Sequence, residues 1–254
     1  MAIFTFFIAH WFLSMFSQTF FLHRYGAHRM FRLSRFTERF FYLLTFVSQG
    51  PSFLVPRAYA MLHRMHHAFS DTKEDPHSPH FYTDPLRMMW QTKLVYAGFV
   101  TRTIEPSETT VKWPEWESLD RFGDSIYTRA CWAAMYIAFY WRFAASPWLF
   151  ALLPIHFLMG VLHGAIVNWC GHRYGYRNFS TRDKSRNTLP IDFLTMGELY
   201  QNNHHKYPNR PHFAVRWFEI DAVYPIIWLL QQLRIIQPAY ITETLPDYYG
   251  NFMT

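Results

Sequence analysis

The sequence reads as an all-α integral membrane protein, with transmembrane helices beneath a cytoplasmic helical cap. Half of the 254 residues are hydrophobic and 20% are aromatic, yet the mean hydropathy is only −0.11, so an apolar membrane portion must be balanced by a polar one. The first 22 residues, MAIFTFFIAHWFLSMFSQTFFL, hold no Lys or Arg and are long enough to cross roughly 30 Å of hydrocarbon. A second apolar region, 125–168, divides at Ser146-Pro147 into two stretches of similar length, which predicts a helical hairpin.

Each element follows from local composition. A chain of 254 residues suits one domain, and no repeat, low-complexity tract or flexible linker divides it, so 1–254 is taken as a single membrane domain. Segment 1–22 reads as an uncleaved anchor, because a signal peptide would need a positive n-region and a small-residue cleavage site that are missing here. Arg24, Arg29, Arg32, Arg35 and Arg39 follow it at once, which places its C-terminal end in the cytoplasm. Residues 38–56 are apolar but broken at Ser48-Gln49-Gly50-Pro51, too short to span, and predict an interfacial or re-entrant helix. The hairpin gives spans at about 125–146 and 148–168, with Arg129 and Arg142 snorkelling toward opposite interfaces. Arg173, Arg177, Arg182, Lys184 and Arg186 mark cytoplasm again. The net charge of +6 is explained by these flanks, and with no nucleic-acid-binding signature a nucleic-acid partner is excluded. Cys131 and Cys170 lie in or beside apolar stretches and pack as small hydrophobes.

The chemistry lies in histidine clusters, all on the cytoplasmic face by this topology: His23 and His28 in HRYGAHR, His63, His66 and His67 in HRMHH, and His204 and His205 in QNNHH. On a helix His63, His66 and His67 share one face, and converging neutral imidazoles suit iron, copper or zinc. His23 and His28, five apart, would stand about 7.5 Å apart along a helix axis, a separation suited to two neighbouring metals rather than one. Asn168 and His172 share a face at the end of the last membrane helix. These histidines are too many for one tetrahedral zinc, and neither CxxC nor HExxH occurs. Two metals are therefore expected, and the cap is read as the holder of a histidine-ligated di-metal site. One Glu-x-x-His match, Glu74 to His77, contains Pro76 and is read as a loop coincidence. Any single histidine alone would read as a hydrogen-bonded or surface residue; their recurrence at each cytoplasmic boundary does not.

In order, HRYGAHR, HRMHHAFSDTKEDPHSP, NWCGHRYG and GELYQNNHHKYP resemble the membrane fatty acyl desaturase family, particularly its acyl-CoA branch, over nearly the whole chain. TRDKSRN at 181–187 and RWFEID at 216–221 extend the similarity. The resemblance implies two iron ions held by His23, His28, His63, His66, His67, His172, His204 and His205, with Asn168 reaching one metal through a water. It also implies dioxygen as co-substrate, a long-chain acyl substrate, and removal of two hydrogens from adjacent methylenes. The chain has no haem-binding carrier domain or iron-sulfur cysteine motif, so the electron donor is expected to be a separate protein of the ferredoxin or b-type cytochrome kind.

Two departures qualify this expectation. The family's last box has a further histidine where this chain has Gln201, a poorer iron ligand, which keeps a hydroxylase on the same scaffold as the alternative reading. A nonenzymatic metal-binding protein is the third. The first membrane helix of the animal enzymes has no counterpart, which implies a bacterial, inner-membrane member. Asp71, Asp75, Glu198 and Asp221 are candidate acceptors for ligand N–H groups, or solvated carboxylates. Arg182, Lys184 and Arg186 are candidates to grip a phosphate-bearing acyl carrier. His10, His156 and His163, inside the apolar segments, are read as hydrogen-bonded bundle histidines, with His156 and His163 on one helix face.

Overall fold

The computed structural model describes residues 1–105 and 112–239. Its first helix, α1 (Ala2–Phe16), runs straight into a π-helix at Ser17–Ala27. Apolar on every side and uncharged, α1 can rest only among other helices or lipid. Ile3 and Met15 are buried while Phe4, Ile8 and Leu13 stay exposed.

Helix α2 (Arg35–Gln49) starts where the Ser34 hydroxyl accepts the Thr37 N–H at 3.1 Å, an N-cap that satisfies an otherwise orphaned donor. It stops at Gly50, whose φ of +52° favours glycine. Phe41, Tyr42 and Thr45 of α2 face the core, whereas Phe36, Phe40, Leu43 and Val47 form an exposed apolar stripe. This is the surface expected of a helix lying in a membrane interface. Ser48 donates to Ser17 at 2.7 Å and fastens α2 to the first helix.

Helix α3 (Pro56–Phe69) opens with proline in its first turn, where the missing N–H costs nothing. It packs against the π-helix, and its Arg64 Nε donates to the Ala27 carbonyl at 2.6 Å. Helix α4 (Pro85–Thr101), capped by Asp84 on the Arg87 N–H at 2.9 Å, packs on α3. Short α5 (Glu117–Asp124) leads into α6 (Ile126–Phe143). After the Ser146-Pro147 turn come a 3-10 segment (Pro147–Leu152), α7 (Leu153–Phe157) and α8 (Met159–Gly171). Short α9 (Gln201–Lys206) and α10 (Tyr224–Gln232) follow. Strands β1 (Phe31–Leu33) and β2 (Ile236–Pro238) pair antiparallel and close the cap.

The mostly helical architecture agrees with the sequence reading, with three corrections. Among the described residues one helix, Ala2–Ala27, is long and apolar enough to cross a membrane; Pro147–Phe157 and Met159–Gly171 together are a second candidate, bent by 69°. The stretch 148–168 is therefore not one straight helix. It breaks at Leu158, and the following Gly160 comes so close to α2 that a Cβ there would stand 3.2 Å from Gln49 Nε2 and 3.3 Å from the Ser52 carbonyl. The bend puts His156 and His163 on different helix segments: His156 meets His10 at 2.6 Å and Tyr140 Oη at 2.8 Å, whereas His163 has neither ring nitrogen bonded. Arg129 does not snorkel; it bonds Asp124 at 2.7 Å and the Phe53 carbonyl at 3.0 Å.

The segment between α8 and α9 is irregular and held by polar contacts. Isolated bridges join Tyr176 to Asn187 and Asn187 to Tyr200. Gly175 sits at φ +113°, and a Cβ there would overlap the Asn187 carbonyl. Gly175→Ala is therefore expected to destabilise the fold by about 1–3 kcal/mol or more, read as a lower unfolding temperature of the detergent-solubilised protein. An unchanged midpoint would show that the bridge does not need glycine.

Candidate metal centre

Two groups of imidazoles converge under the cap. His23, His28, His63, His67 and His204 offer ligand atoms all within 4.8 Å of one another, and His66, His172 and His205 do the same beside them. In the first group the ring nitrogens point inward: His23 Nε2 lies 3.1 Å from His204 Nε2, His28 Nε2 2.7 Å from His63 Nε2, and His67 Nε2 3.0 Å from both His63 and His204 Nε2. Two nitrogens at roughly 2.1 Å from one ion and at right angles to each other stand about 3.0 Å apart. The spacing is that of ligands around a shared point.

His23 and His28 fall in the same group, which corrects the expectation that they serve two metals. The reason is the π-helix, in which the His28 N–H donates to the His23 carbonyl five residues back at 3.0 Å. An i→i+5 turn brings residues five apart onto one face, where an α-helix would have turned them away. His63, His66 and His67 do lie on one side of α3, but His66 faces the second group while the other two face the first.

Carboxylates stand behind the rings. His66 Nδ1 bonds Asp75 at 2.9 Å, His172 Nδ1 bonds Asp71 at 2.9 Å, His205 Nδ1 bonds Asp183 at 2.8 Å, and His23 Nδ1 lies 2.6 Å from Glu198. A proton held at Nδ1 leaves Nε2 as a lone pair, and a carboxylate partner raises its basicity. In the second group Nε2 of His66, of His172 and of His205 is buried with no hydrogen-bond partner. Orphaned acceptors of this kind are costly unless a cation takes them. Burial pushes His63, His67 and His204 well below the ordinary imidazole pKa, each helped by neighbouring histidines, and pushes His205 down to about 4. They are neutral imidazoles at physiological pH, the form that can bind a metal. Burial pushes Asp71, Asp75 and Asp183 up, but their histidine partners outweigh it and hold all three below the usual carboxylate range. The donor set thus fits two metals of the borderline class that imidazole prefers.

The proposed acceptors Asp71, Asp75 and Glu198 are where the sequence reading put them. Asp221 is not: it pairs with the fully buried Arg24 at 2.8 Å and accepts the Phe213 N–H at 2.8 Å. Arg24 in turn stands over the Phe213 ring and 3.7 Å from Glu198, anchoring the residue beside His23. Asp183 was missed, although it lies inside the TRDKSRN run that attracted notice for its cations. Of those cations, Arg182 and Lys184 are exposed, and Arg186 bonds the Gly175 carbonyl at 2.9 Å. The asparagines before the last histidine pair are structural: Asn202 accepts the N–H groups of Asn178 and Phe179, each at 2.8 Å, and Asn203 donates to the Phe213 carbonyl at 2.9 Å. They pin a helix too short to hold itself.

Asn168 donates to the Gly164 carbonyl at 2.8 Å, and Gln201 Nε2 to the Glu198 carbonyl at 2.7 Å. Both border a cavity of about 660 Å³ that also reaches His63 and Glu198 and is walled by Met15, Leu62 and Val167.

Replacing Asp75 by Asn, or Glu198 by Gln, is expected to weaken metal binding about 10- to 100-fold while the protein still folds, because orientation and basicity of the ring behind it are lost. Chelator competition measures this. Unchanged affinity in both variants would detach the carboxylates from the metals.

The chain matches the model of the fatty acid desaturase family over residues 1–239. It is 28% identical to a hex-5-enoyl acyl-carrier-protein acetylenase of Moorena producens, over 90% of this chain and 74% of that protein. It is 30% identical to an acyl-CoA 5-desaturase of Anemone leveillei, over 87% of this chain and 66% of the relative. An sn-1 stearoyl-lipid 9-desaturase of Synechocystis sp. is 29% identical over 84% of this chain and 64% of its own length. With its ordered histidine motifs, its paired imidazole groups and this match along nearly its full length, the chain belongs to the fatty acid desaturase family.

Proposed function

We propose that this protein is an oxygen-dependent oxidoreductase that inserts a double bond into a long acyl chain, carried on coenzyme A. The observation that carries the reading is the cavity, whose apolar wall leads to His63 of the first imidazole group and to Asn168, Glu198 and Gln201. A slot of this size and lining suits a small apolar ligand segment, and its polar end is where the reacting methylenes would lie.

The ligands proposed for two irons are His23, His28, His63, His67 and His204 for one, and His66, His172 and His205 for the other, with Asn168 proposed to reach one of them through a water. Bound iron would supply dioxygen activation. The chain's own share is to hold the rings neutral and aimed, to keep water from the apolar slot, and to place the acyl segment. Exposed Arg182 and Lys184 adjoin the second group, since the Lys184 N–H donates to the Asp71 carboxylate at 2.7 Å, and a phosphate-bearing carrier is suited to that edge. Electrons are proposed to come from a separate ferredoxin or b-type cytochrome.

The proposed setting is a membrane crossed at about 1–22, 125–146 and 148–168, with the cap in the cytoplasm. The apolar stripe of α2 and the exposed Ile126, Met135, Trp141 and Trp148 support a lipid-facing surface.

Fatty-acid profiling of a host with and without the chain tests the activity: a new unsaturated species is expected, and its loss in each of His63→Ala, His66→Ala and His67→Ala. Hydroxylated products in its place would favour the hydroxylase. Topology is tested with single cysteines in a Cys131→Ser/Cys170→Ser background: positions 32, 73 and 184 should react with impermeant reagent only from the cytoplasmic side, and position 145 only from the other. Labelling of 73 and 184 from opposite sides would sink the arrangement.

A further inference from the structure

Among the buried polar groups of the cap, His77 has no role in anything described so far. It is 3% exposed, and neither Nδ1 nor Nε2 has a hydrogen-bond partner. Two imidazole nitrogens left buried and unsatisfied are costly unless something binds them. The rest of its loop is well satisfied: Asp75 accepts the His77 N–H at 3.0 Å and the Asp71 N–H at 2.9 Å, and Ser78 donates to Asp71 at 2.7 Å. The loop is therefore built to hold the His77 backbone where it is, with the ring itself unpartnered.

That place is beside the second imidazole group. The His77 ring centroid lies 4.4 Å from that of His66, while the rings of His66, His172 and His205 are 4.8 to 5.1 Å apart. His66, Asp75 and His77 offer ligand atoms within 4.8 Å of one another. One carboxylate, Asp75, thus positions both histidines, through the His66 ring and the His77 backbone. His77 also borders the cavity that Asn168 and Gln201 border.

The second group needs such a residue. It musters three imidazoles against five in the first, and Gln201, the other side chain at that edge, has its amide nitrogen committed to the Glu198 carbonyl and its stem packed where Gly171 lacks a Cβ. An unsatisfied ring alone would not suffice, because His163 is also unsatisfied; but the ring that His163 touches is Trp11, far from either group.

We propose that His77 is a further imidazole ligand of the second metal, supplying the imidazole that Gln201 does not. The inference rests on the two-metal reading above. His77 stands outside the span that joins His66, His172 and His205, so ligation requires its ring to turn toward them when the metal is present.

Iron per chain, measured on full-length detergent-solubilised protein reconstituted anaerobically with ferrous iron and passed over a chelating column, decides it. About two irons are expected in the wild type, about one in His77→Ala, and about two again in the double variant His77→Ala/Gln201→His, where an imidazole returns to the same metal from the other side. Two irons retained in His77→Ala would overturn the assignment, as would a double variant that stays at one or none. Should His77→Ala load no iron at all, the double variant still decides. Fewer than two irons in the wild type would instead strike the two-metal reading itself, so the two failures are distinguishable.

Discussion

Five imidazole nitrogens held about 3 Å apart repel one another through their lone pairs, and a fold that gathers them must overcome that repulsion. A cation at the centre turns the repulsion into attraction; Glu198 holds His23 of this group, while Asp75, Asp71 and Asp183 hold His66, His172 and His205 of the second. Asp71, Asp75, Asp183 and Glu198 come from two loops and the residue run leading into α9, so the rings are fixed by segments far apart in sequence. Much of the cap's irregular architecture follows from this requirement. The polar lattice of Asn178, Asn187, Asn202, Asn203 and Glu219 stabilises α9 by satisfying its backbone and side chains one hydrogen bond at a time.

The two groups are not equivalent. The first gathers five histidines, from the π-helix and its C-terminal end, α3 and α9, and borders the cavity through His63; the second has three, from α3, the end of α8 and α9. Acyl chain and oxygen would therefore meet ligands that differ in number and in exposure to the slot. Arg24 has a related role: with its guanidinium over Phe213 and between Asp221 and Glu198, it keeps the acidic side of His23 neutralised. A buried ion network is costly to assemble, but breaking it would leave an unpaired charge.

The histidines were legible because metal ligation constrains residue type and spacing more tightly than burial does. Their grouping was less so. A five-residue step was read on an α-helix, and only the i→i+5 bonding of Ser17–Ala27 brings His23 and His28 to one point. His77 was set aside with Glu74 because Pro76 forbids a helix there, yet the loop returns it to His66 through Asp75. Asp183 was hidden among cations, and the bend at Leu158 goes with a close approach of Gly160 to α2, a tertiary contact. The helix starts at Ser34 and Asp84 and the turn at Ser146-Pro147 needed no such knowledge, since capping and proline chemistry act within a few residues.

Convergence of these imidazoles on two metal positions is tested most directly by X-ray absorption at the iron edge of the loaded, full-length protein. A nitrogen-rich first shell near the roughly 2.1 Å typical of metal–imidazole bonds, with the outer-shell scattering of several ring carbons, is the expected result. A shell dominated by oxygen, or iron lost on mild chelation without any imidazole signature, would contradict it.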